Sequence, residues 1–193
     1  MSAVSQERYT YDEYLVRERV ADTKSEYYGG QIFAMAGGSP RHNSIGVNLV
    51  ASLRNRLRGS PCRPFNSDQR IRISACGLTT YPDVSIICGE LQMDAQDVDA
   101  IVNPRVIFEV LLKSTEGYDR GKKFDFFRQI KSLTEYVLVS QEDLQVECFT
   151  RQSDENWLLS ITKRLHGVLR LSTVSVELPL VEIYEDITIL PTR

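Results

Sequence analysis

The sequence predicts an α/β fold in which a mixed β-sheet is flanked by helices. Apolar residues run together over residues 81–88 and 106–112, as in buried strands. Apolar residues instead recur every four positions over residues 45–57, as on one face of a helix. We find no internal repeat and no flexible linker, so we predict one domain over residues 1–193, with its core at about 9–180.

The first elements are expected to be a short helix and a hairpin. The helix covers residues 11–20. Gly29 and Gly30 then separate two strand-like runs, residues 25–28 and 31–35. Glycine accepts the positive φ that a tight hairpin turn requires, so these runs are predicted to pair.

A longer helix is predicted over residues 40–58. Ser39 is its expected N-cap, and Pro40 suits the first turn because its ring already holds a helical φ. Gly59 is expected to end the helix.

The rest of the chain predicts strands, one loop and one more helix. Residues 89–104 are acidic and polar, and we interpret them as a loop. A helix is expected over residues 120–130 with Asp119 as its N-cap, and the tail at 176–190 fits a strand or a short helix. The predicted strands cover residues 62–66, 69–74, 81–88, 105–112, 135–140, 146–150 and 157–162.

Composition is typical of a soluble globular protein, with 42% hydrophobic and 25% charged residues. No apolar stretch approaches the roughly 20 residues that span a bilayer, and residues 1–10 lack a signal-peptide core. We therefore expect a cytoplasmic protein without a membrane partner. The net charge of −3 argues mildly against tight non-specific binding of nucleic acid.

Cysteine and histidine usage limits the possible chemistry. The four cysteines have no paired spacing, so we expect reduced core thiols and neither disulfides nor zinc ligands. Only two histidines, His42 and His166, are present, which leaves little for a histidine-rich metal site or a histidine-based triad. The cysteines are Cys62, Cys76, Cys88 and Cys148.

Two carboxylates on buried strands predict an oxygen-lined site. Glu109 lies alone inside the apolar run 106–112, where an ionised side chain is costly unless something compensates it. Asp83 follows Pro82, which cannot donate to a sheet, so Asp83 is expected at the mouth of its strand. Such a pair suits Mg²⁺, or Mn²⁺ in its place. A structural salt bridge for Glu109 and a turn role for Asp83 are the alternatives.

A lysine near Glu109 has two candidates. Lys123 lies beside the core face that Phe124 and Phe127 define in the predicted helix, from where it can reach over the strand end. Lys113 lies on the same strand face as Glu109 if the strand continues that far. A solvated surface lysine is the alternative for Lys123.

Several short motifs follow one another in a definite order. Together they make the chain, from about residue 9 to 180, resemble the Uma2 family of endonucleases in the PD-(D/E)XK nuclease superfamily. The motifs are Tyr-Pro-Asp-Val at 81–84, Phe-Glu-Val-Leu at 108–111, Ser-Thr at 114–115, Asp-Arg-Gly-Lys-Lys at 119–123 and Glu-Tyr-Val-Leu-Val at 135–139. Single residues that extend the resemblance are Glu26, Met35, Gly37, His42, Asp68, Arg70 and Arg72.

The resemblance implies a restriction-endonuclease-like core in which Asp83 and Glu109 bind Mg²⁺. It also implies a lysine that activates or orients the attacking water. In the superfamily this lysine usually lies two residues after the acid, where this chain has Leu111. The Uma2 pattern supplies it from the following helix, at Lys123.

The segment after the glutamate departs from the usual Uma2 stretch Glu-Val-Leu-Ser-Pro-Ser-Thr. Leu112 and Lys113 replace its serine and proline. The path of this loop and the choice between Lys113 and Lys123 therefore stay open.

Four further residues are candidates for the site. Glu26 is a further acid near the metal or a surface residue of the hairpin. His42 contacts substrate or has a structural role. Arg70 and Arg72 end an arginine-rich segment that faces phosphate or is simply solvated, and we assign both as substrate contacts.

These residues favour a Mg²⁺-dependent nuclease that hydrolyses phosphodiester bonds of nucleic acid, expected to be DNA, and acts as a homodimer. The alternative is a catalytically silent module on the same fold that binds nucleic acid or another protein, since Leu111 fills the usual lysine position. A phosphohydrolase for a smaller substrate is a third possibility. No base-reading motif is present, so the sequence does not separate DNA from RNA or single strands from duplexes.

Overall fold

Two mixed β-sheets and a separate hairpin, flanked by helices, make up the fold. The structure is a computed structural model that describes residues 7–154 and 156–189. It confirms the predicted α/β class with mixed sheet and flanking helices. The two ends of the predicted domain, residues 1–6 and 190–193, lie outside the described residues. No helix in the described ranges is long and apolar enough to cross a membrane.

Among the helices of the described residues, the one at Pro40–Arg56 is much the longest, with 17 residues. As predicted, Ser39 caps it: the backbone N–H of His42 donates a hydrogen bond to Ser39 Oγ at 3.1 Å. The helices are α1 (Tyr11–Glu18), α2 (Pro40–Arg56), α3 (Glu116–Tyr118), α4 (Phe124–Phe127) and α5 (Leu180–Ile183). A π-helical turn, the π turn (Asp119–Lys123), joins α3 to α4.

The chain passes several times between the two sheets, and its strands from residue 104 to residue 163 then all belong to the second sheet. Those of the first sheet are β1 (Ser25–Tyr28), β2 (Gln31–Ala34), β4 (Arg70–Ile73), β5 (Leu78–Thr80) and β7 (Ala100–Ile101). Those of the second are β3 (Cys62–Asn66), β6 (Val84–Cys88), β8 (Pro104–Leu111), β9 (Glu135–Ser140), β10 (Gln145–Arg151) and β11 (Trp157–Lys163). The hairpin contains β12 (Val168–Leu171) and β13 (Val176–Pro179).

The strand order in the first sheet is β2-β1-β5-β4-β7, and in the second it is β11-β10-β9-β8-β6-β3. In the second sheet β8 runs antiparallel to β6 and parallel to β9. Val84 on β6 pairs with Phe108 on β8. One step beyond that pair, the register brings Asp83 beside Glu109.

The two faces of β8 contact different parts of the core. Phe108 and Val110 pack in a cluster with the apolar stripe of α2. Ile107 and Leu111 pack in a second cluster with Phe127 of α4. Because side chains alternate across a strand, Glu109 emerges on the face that the π turn and α4 cover.

Several element predictions are corrected. The hairpin turn at Gly29 and Gly30 is confirmed, with φ of 59° and 83°. Within the predicted loop 89–104, however, β7 adds a two-residue strand, and β5 and β12 were not predicted. These strands have two to four residues, which is too short to display an alternating pattern. The tail was predicted as a strand or a short helix, and it contains both: β13 is followed directly by α5.

The predicted helix 120–130 is also wrong at both ends. Helical structure begins at Glu116 and ends at Phe127. Asp119 therefore lies inside the helical segment and is not its N-cap. Its carboxylate accepts a hydrogen bond from Thr115 Oγ at 2.9 Å instead.

The expectation that all four cysteines are reduced is wrong as well. Cys62 on β3 and Cys88 on β6 are directly opposite each other and form a disulfide. Cys76 and Cys148 are free, and Cys148 is buried. The pairing follows from strand register, which the spacing of the cysteines in the sequence does not reveal.

Candidate active site

A cavity of about 290 Å³ opens where β6 begins and β8 ends. Five of the predicted site residues line it: Asp83, Glu109, Lys123, Glu26 and His42. They come from distant parts of the chain, and the two sheets, α2 and the π turn bring them together. The cavity is therefore where any joint chemistry of these residues takes place.

Asp83 is fixed between its strand neighbour and a helix. Its Oδ2 accepts a hydrogen bond from the backbone N–H of Val110 at 2.7 Å, which ties it to β8 next to Glu109. The same oxygen lies 3.2 Å from Nε2 of His42 in the first turn of α2. Asp83 therefore has a defined orientation while part of its side chain still faces the cavity.

Glu109 and Lys123 form a buried ion pair. Lys123 Nζ lies 2.8 Å from Glu109 Oε1, and the side chains are only 8% and 5% exposed, respectively. Oε1 accepts no hydrogen bond of favourable geometry from any described residue, so its lone pairs are incompletely used. Burial raises the pKa of the Glu109 carboxyl well above its usual value, and the charge of Lys123 opposes this only in part.

The ammonium of Lys123 interacts with three carboxylates. Besides Glu109, it lies 3.7 Å from Asp119 Oδ1 and 4.0 Å from Glu26 Oε1. Burial alone disfavours the charged amine, but the three carboxylates outweigh that effect and raise the pKa of Lys123. Lys123 is therefore a charged hydrogen-bond donor at neutral pH.

Asp119 is a site residue that the sequence reasoning missed. It lines the cavity, and burial is the main cause that raises the pKa of its carboxyl. The available signal was its spacing, because Asp119 precedes Lys123 by four residues and such pairs share one face of a helix. The π turn contains both residues, and π-helical turns of this kind are frequent at functional sites.

Glu26 lies in the cavity and not on the outer surface of the hairpin. β1 carries it there, and its carboxylate accepts a hydrogen bond from Thr80 Oγ1 of β5. The first sheet thus contributes an acid to a site whose other members come from the second sheet, α2 and the π turn.

His42 lines the cavity next to Asp83. Burial by itself lowers the pKa of the imidazole, but the hydrogen bond to Asp83 and the charge of that carboxylate outweigh it, so the pKa is raised. The ring is therefore held beside a candidate metal ligand.

Lys113 is not part of the cavity. β8 ends at Leu111, so the strand does not continue to Lys113, and that side chain is exposed. Leu112, Ser114 and Thr115 line the cavity around it. Between the two predicted lysines, only Lys123 contacts the carboxylates.

The structure does not bring Arg70 to the cavity, in contrast to its predicted contact with substrate. Arg70 is buried, where its Nη1 donates to Asp97 Oδ2 at 2.5 Å and its Nε donates to Tyr81 Oη at 2.8 Å. Both contacts lie in the first sheet and the loop that follows β6. Arg70 therefore has a structural role.

Arg72 is likewise engaged away from the cavity. Its Nη1 donates to the carbonyl of Gly77 at 2.6 Å and to Thr79 Oγ1 at 3.0 Å. Its guanidinium lies 3.8 Å from the ring centroid of Tyr11. These contacts hold β4, β5 and α1 together, and Arg72 does not line the cavity where its substrate contact was predicted.

The donor set of the cavity fits Mg²⁺ better than a metal that needs a complete protein cage. In the described residues no three side chains of His, Cys, Asp or Glu are arranged as a ready-made metal site. Mg²⁺ commonly takes one or two carboxylates and completes its shell with water and substrate phosphate. Asp83 and Glu109 provide such a pair. The backbone N–H of Val110 fixes Asp83, and Oε1 of Glu109 accepts no well-formed hydrogen bond from a described residue. Glu26 and Asp119 add further negative charge.

Comparison with known proteins identifies the family. The Uma2 family, described as "Putative restriction endonuclease", matches residues 11–181 of the chain. The chain belongs to the Uma2 family. This confirms the resemblance predicted from the motifs.

Two proteins of Synechocystis sp. (strain ATCC 27184 / PCC 6803 / Kazusa) are similar to this Uma2 chain over most of its length. "Uncharacterized protein slr1290" is 38% identical over 148 residues, which are 77% of each chain. "Uncharacterized protein sll1609" is 38% identical over 151 residues, which are 78% of this chain and 85% of the relative.

A solved structure shares the fold of this Uma2 protein. The crystal structure of "a putative nuclease belonging to DUF820" from Anabaena variabilis ATCC 29413 superposes with a TM-score of 0.74. The match covers 92% of this chain and 98% of that chain, at 14% sequence identity. The two proteins therefore share a fold.

Proposed function

We propose that this Uma2 protein is a Mg²⁺-dependent nuclease that hydrolyses phosphodiester bonds of nucleic acid, with DNA as its substrate. One observation carries the proposal: Asp83, Glu109 and the charged Lys123 meet in one cavity. Family membership and the nuclease-like fold support the same reaction class. Fold alone does not determine function, so the argument rests on the site.

Asp83 and Glu109 are the residues that would hold the metal. When bound there, Mg²⁺ supplies neutralisation of charge on the phosphoryl oxygens and lowers the pKa of water. Val110 keeps Asp83 in place through its backbone N–H, and Lys123 keeps Glu109 in place. Both carboxylates are therefore oriented before substrate arrives, which avoids reorganisation during the reaction.

Lys123 acts as a donor and not as a base. In hydrolysis the water oxygen forms a bond to phosphorus, the bond from phosphorus to the leaving oxygen breaks, and a proton lost by water is balanced by one gained at the leaving oxygen. The raised pKa of Lys123 keeps its amine protonated, so it does not accept the proton from water. Its ammonium orients the attacking water and offsets the negative charge that develops on the phosphoryl group.

A catalytically silent module is the competing function. The observation that favoured a silent module is Leu111, which occupies the position where the superfamily usually has a lysine. Because Lys123 provides an ammonium at Glu109 from the π turn, Leu111 does not imply that the site lacks a lysine. We therefore favour the nuclease.

Cleavage assays test the proposal. Wild-type protein, Asp83→Asn and Glu109→Gln are incubated with single-stranded DNA, duplex DNA and RNA, in Mg²⁺, Mn²⁺ or EDTA. We expect metal-dependent cleavage by the wild type and none by the folded variants. Cleavage that persists in Asp83→Asn, or a folded wild type that cleaves none of the three substrates, would contradict the proposal.

A further inference from the structure

A second groove continues from the active-site cavity along α2. Its volume is about 520 Å³, and it lies between one face of α2 and the turn after β3. His42 and Asp83 line both the groove and the active-site cavity. A ligand that fills the groove would therefore reach Asp83, one of the two candidate metal ligands.

The wall of the groove is apolar although it faces solvent. It is formed by Gly46, Val47, Val50 and Ala51 of α2, and Val47 is 67% exposed. A Cβ added at Gly46 would meet no atom within 4 Å, so the groove is open at this point. The core stripe of α2, Ile45, Leu49 and Leu53, lies on the adjoining buried face. Packing of the protein's own core explains Val50, but it does not explain the exposed Val47.

Arg54 lies at the far end of the groove. It is exposed and makes no hydrogen bond or ion pair with any residue that the structure describes. Its neighbour Arg56, by contrast, is bonded to Glu182 and to the carbonyl of Glu177. Arg54 follows His42 by twelve positions, which is about 18 Å along a helix. Arg54 thus provides a positive charge without a described partner, at a distance of several nucleotides from the active site.

We propose that this groove binds a single strand of nucleic acid, with unpaired bases and sugars against the apolar wall and a phosphate on Arg54. The inference rests on the proposed nuclease function and specifies its substrate class. A strand with unpaired bases offers apolar faces and phosphates together, which complements a groove with an apolar wall and a cation. A duplex hides its base faces and presents phosphates on the outside, so it does not complement Val47 and Val50.

The test measures binding separately from cleavage. A fluorescently labelled 12-nucleotide DNA strand and its duplex are titrated by anisotropy in Mg²⁺, with Glu109→Gln as the non-cleaving parent. Adding Arg54→Gln is expected to weaken single-strand binding by about tenfold and to reduce the salt dependence by about one phosphate contact, a slope change near 0.7. Adding Val47→Asp is expected to weaken it similarly, because a carboxylate then faces the strand.

Matched controls come from exposed residues elsewhere. Arg128, whose guanidinium forms an exposed ion pair with Asp125 of α4, is changed to Gln, and Val98, which is exposed outside the groove, is changed to Asp. Both are expected to leave affinity within about twofold. The inference is overturned if Arg54→Gln behaves like Arg128→Gln, or if the duplex binds more tightly than the single strand. If the wild type neither binds nor cleaves any nucleic acid, the proposed function itself fails, and the groove proposal fails with it.

Discussion

Lys123 Nζ lies 2.8 Å from Glu109 Oε1, and both side chains are almost completely buried. The contact joins the π turn to β8, the central strand that also positions Asp83 through Val110. Removing one partner of such a pair leaves an uncompensated buried charge or forces a change of protonation. Lys123 therefore helps to orient Glu109 and favours its ionised form.

The first prediction separates the two lysines. Lys123→Met is expected to reduce cleavage by at least about 100-fold, because no other ammonium contacts the carboxylates in the described structure. Metal binding is expected to persist, because a bound metal ion supplies the positive charge that compensates Glu109 in place of the ammonium. Lys113→Met is the control and should retain activity within about twofold, because its side chain is exposed outside the cavity. Kinetic assays and metal titrations of both folded variants check this, and loss of activity only in Lys113→Met would reverse the assignment.

Metal binding should depend on pH. Burial raises the pKa of Glu109, whereas a metal requires the ionised carboxylate. Protons therefore compete with Mn²⁺ as the pH falls towards the raised pKa, so affinity should decrease and the number of protons released on binding should increase. Calorimetry in two buffers of different ionisation enthalpy measures that proton release. An affinity that does not change as the pH falls would show that Glu109 is not a ligand.

The pair Arg70 and Asp97 should contribute to stability and not to catalysis. Asp97 is fully buried, and Asp97→Asn leaves the guanidinium of Arg70 without a charged partner. We expect a loss of about 3 kcal/mol in the free energy of unfolding. The exposed pair of Arg128 and Asp125 provides the control, because Asp125→Asn should cost less than about 1 kcal/mol. Urea unfolding of both variants decides, and equal losses would refute the structural role.

The disulfide predicts a definite number of thiols. Unfolded, non-reduced protein should expose two titratable thiols, Cys76 and Cys148, and four after reduction. Reduction should lower the free energy of unfolding by about 3 kcal/mol, since the bond closes a loop of moderate length in the unfolded chain. The double variant Cys62→Ser, Cys88→Ser should be insensitive to reductant. Four thiols before reduction would show that the bond does not form.

Much of the site was predictable because an acidic residue inside a buried strand, or at the start of one, is visible in the local sequence. An acid inside an apolar run, Glu109, and an aspartate after Pro82 are visible in the sequence alone. Their proximity required the antiparallel register of β6 and β8, which depends on contacts between distant segments. The choice of Lys123 over Lys113 required the end of β8 and the π turn, neither of which has a reliable sequence pattern.

Charge patterns were less informative than apolar patterns. The arginine-rich segment predicted substrate contacts at Arg70 and Arg72, but the guanidinium of Arg70 is bonded to Asp97 in the loop after β6, and that of Arg72 contacts Gly77 and Tyr11. Arg54, in the same segment, has none among the described residues. Which arginines are engaged depends on tertiary partners such as Asp97 that lie far away in the sequence. The homodimer and the cytoplasmic location stay predictions.

The most direct test of the central claim is titration calorimetry with Mn²⁺ and Mg²⁺. Wild-type protein is compared with Asp83→Asn and Glu109→Gln, and with Asp125→Asn as a control acid that is exposed outside the cavity. Folding of each variant is first verified by circular dichroism. We expect stoichiometric Mn²⁺ binding by the wild type and the control, and its loss in both site variants. Equal binding by all four proteins, or none by the folded wild type even with a nucleic-acid strand present, would contradict a metal site at Asp83 and Glu109.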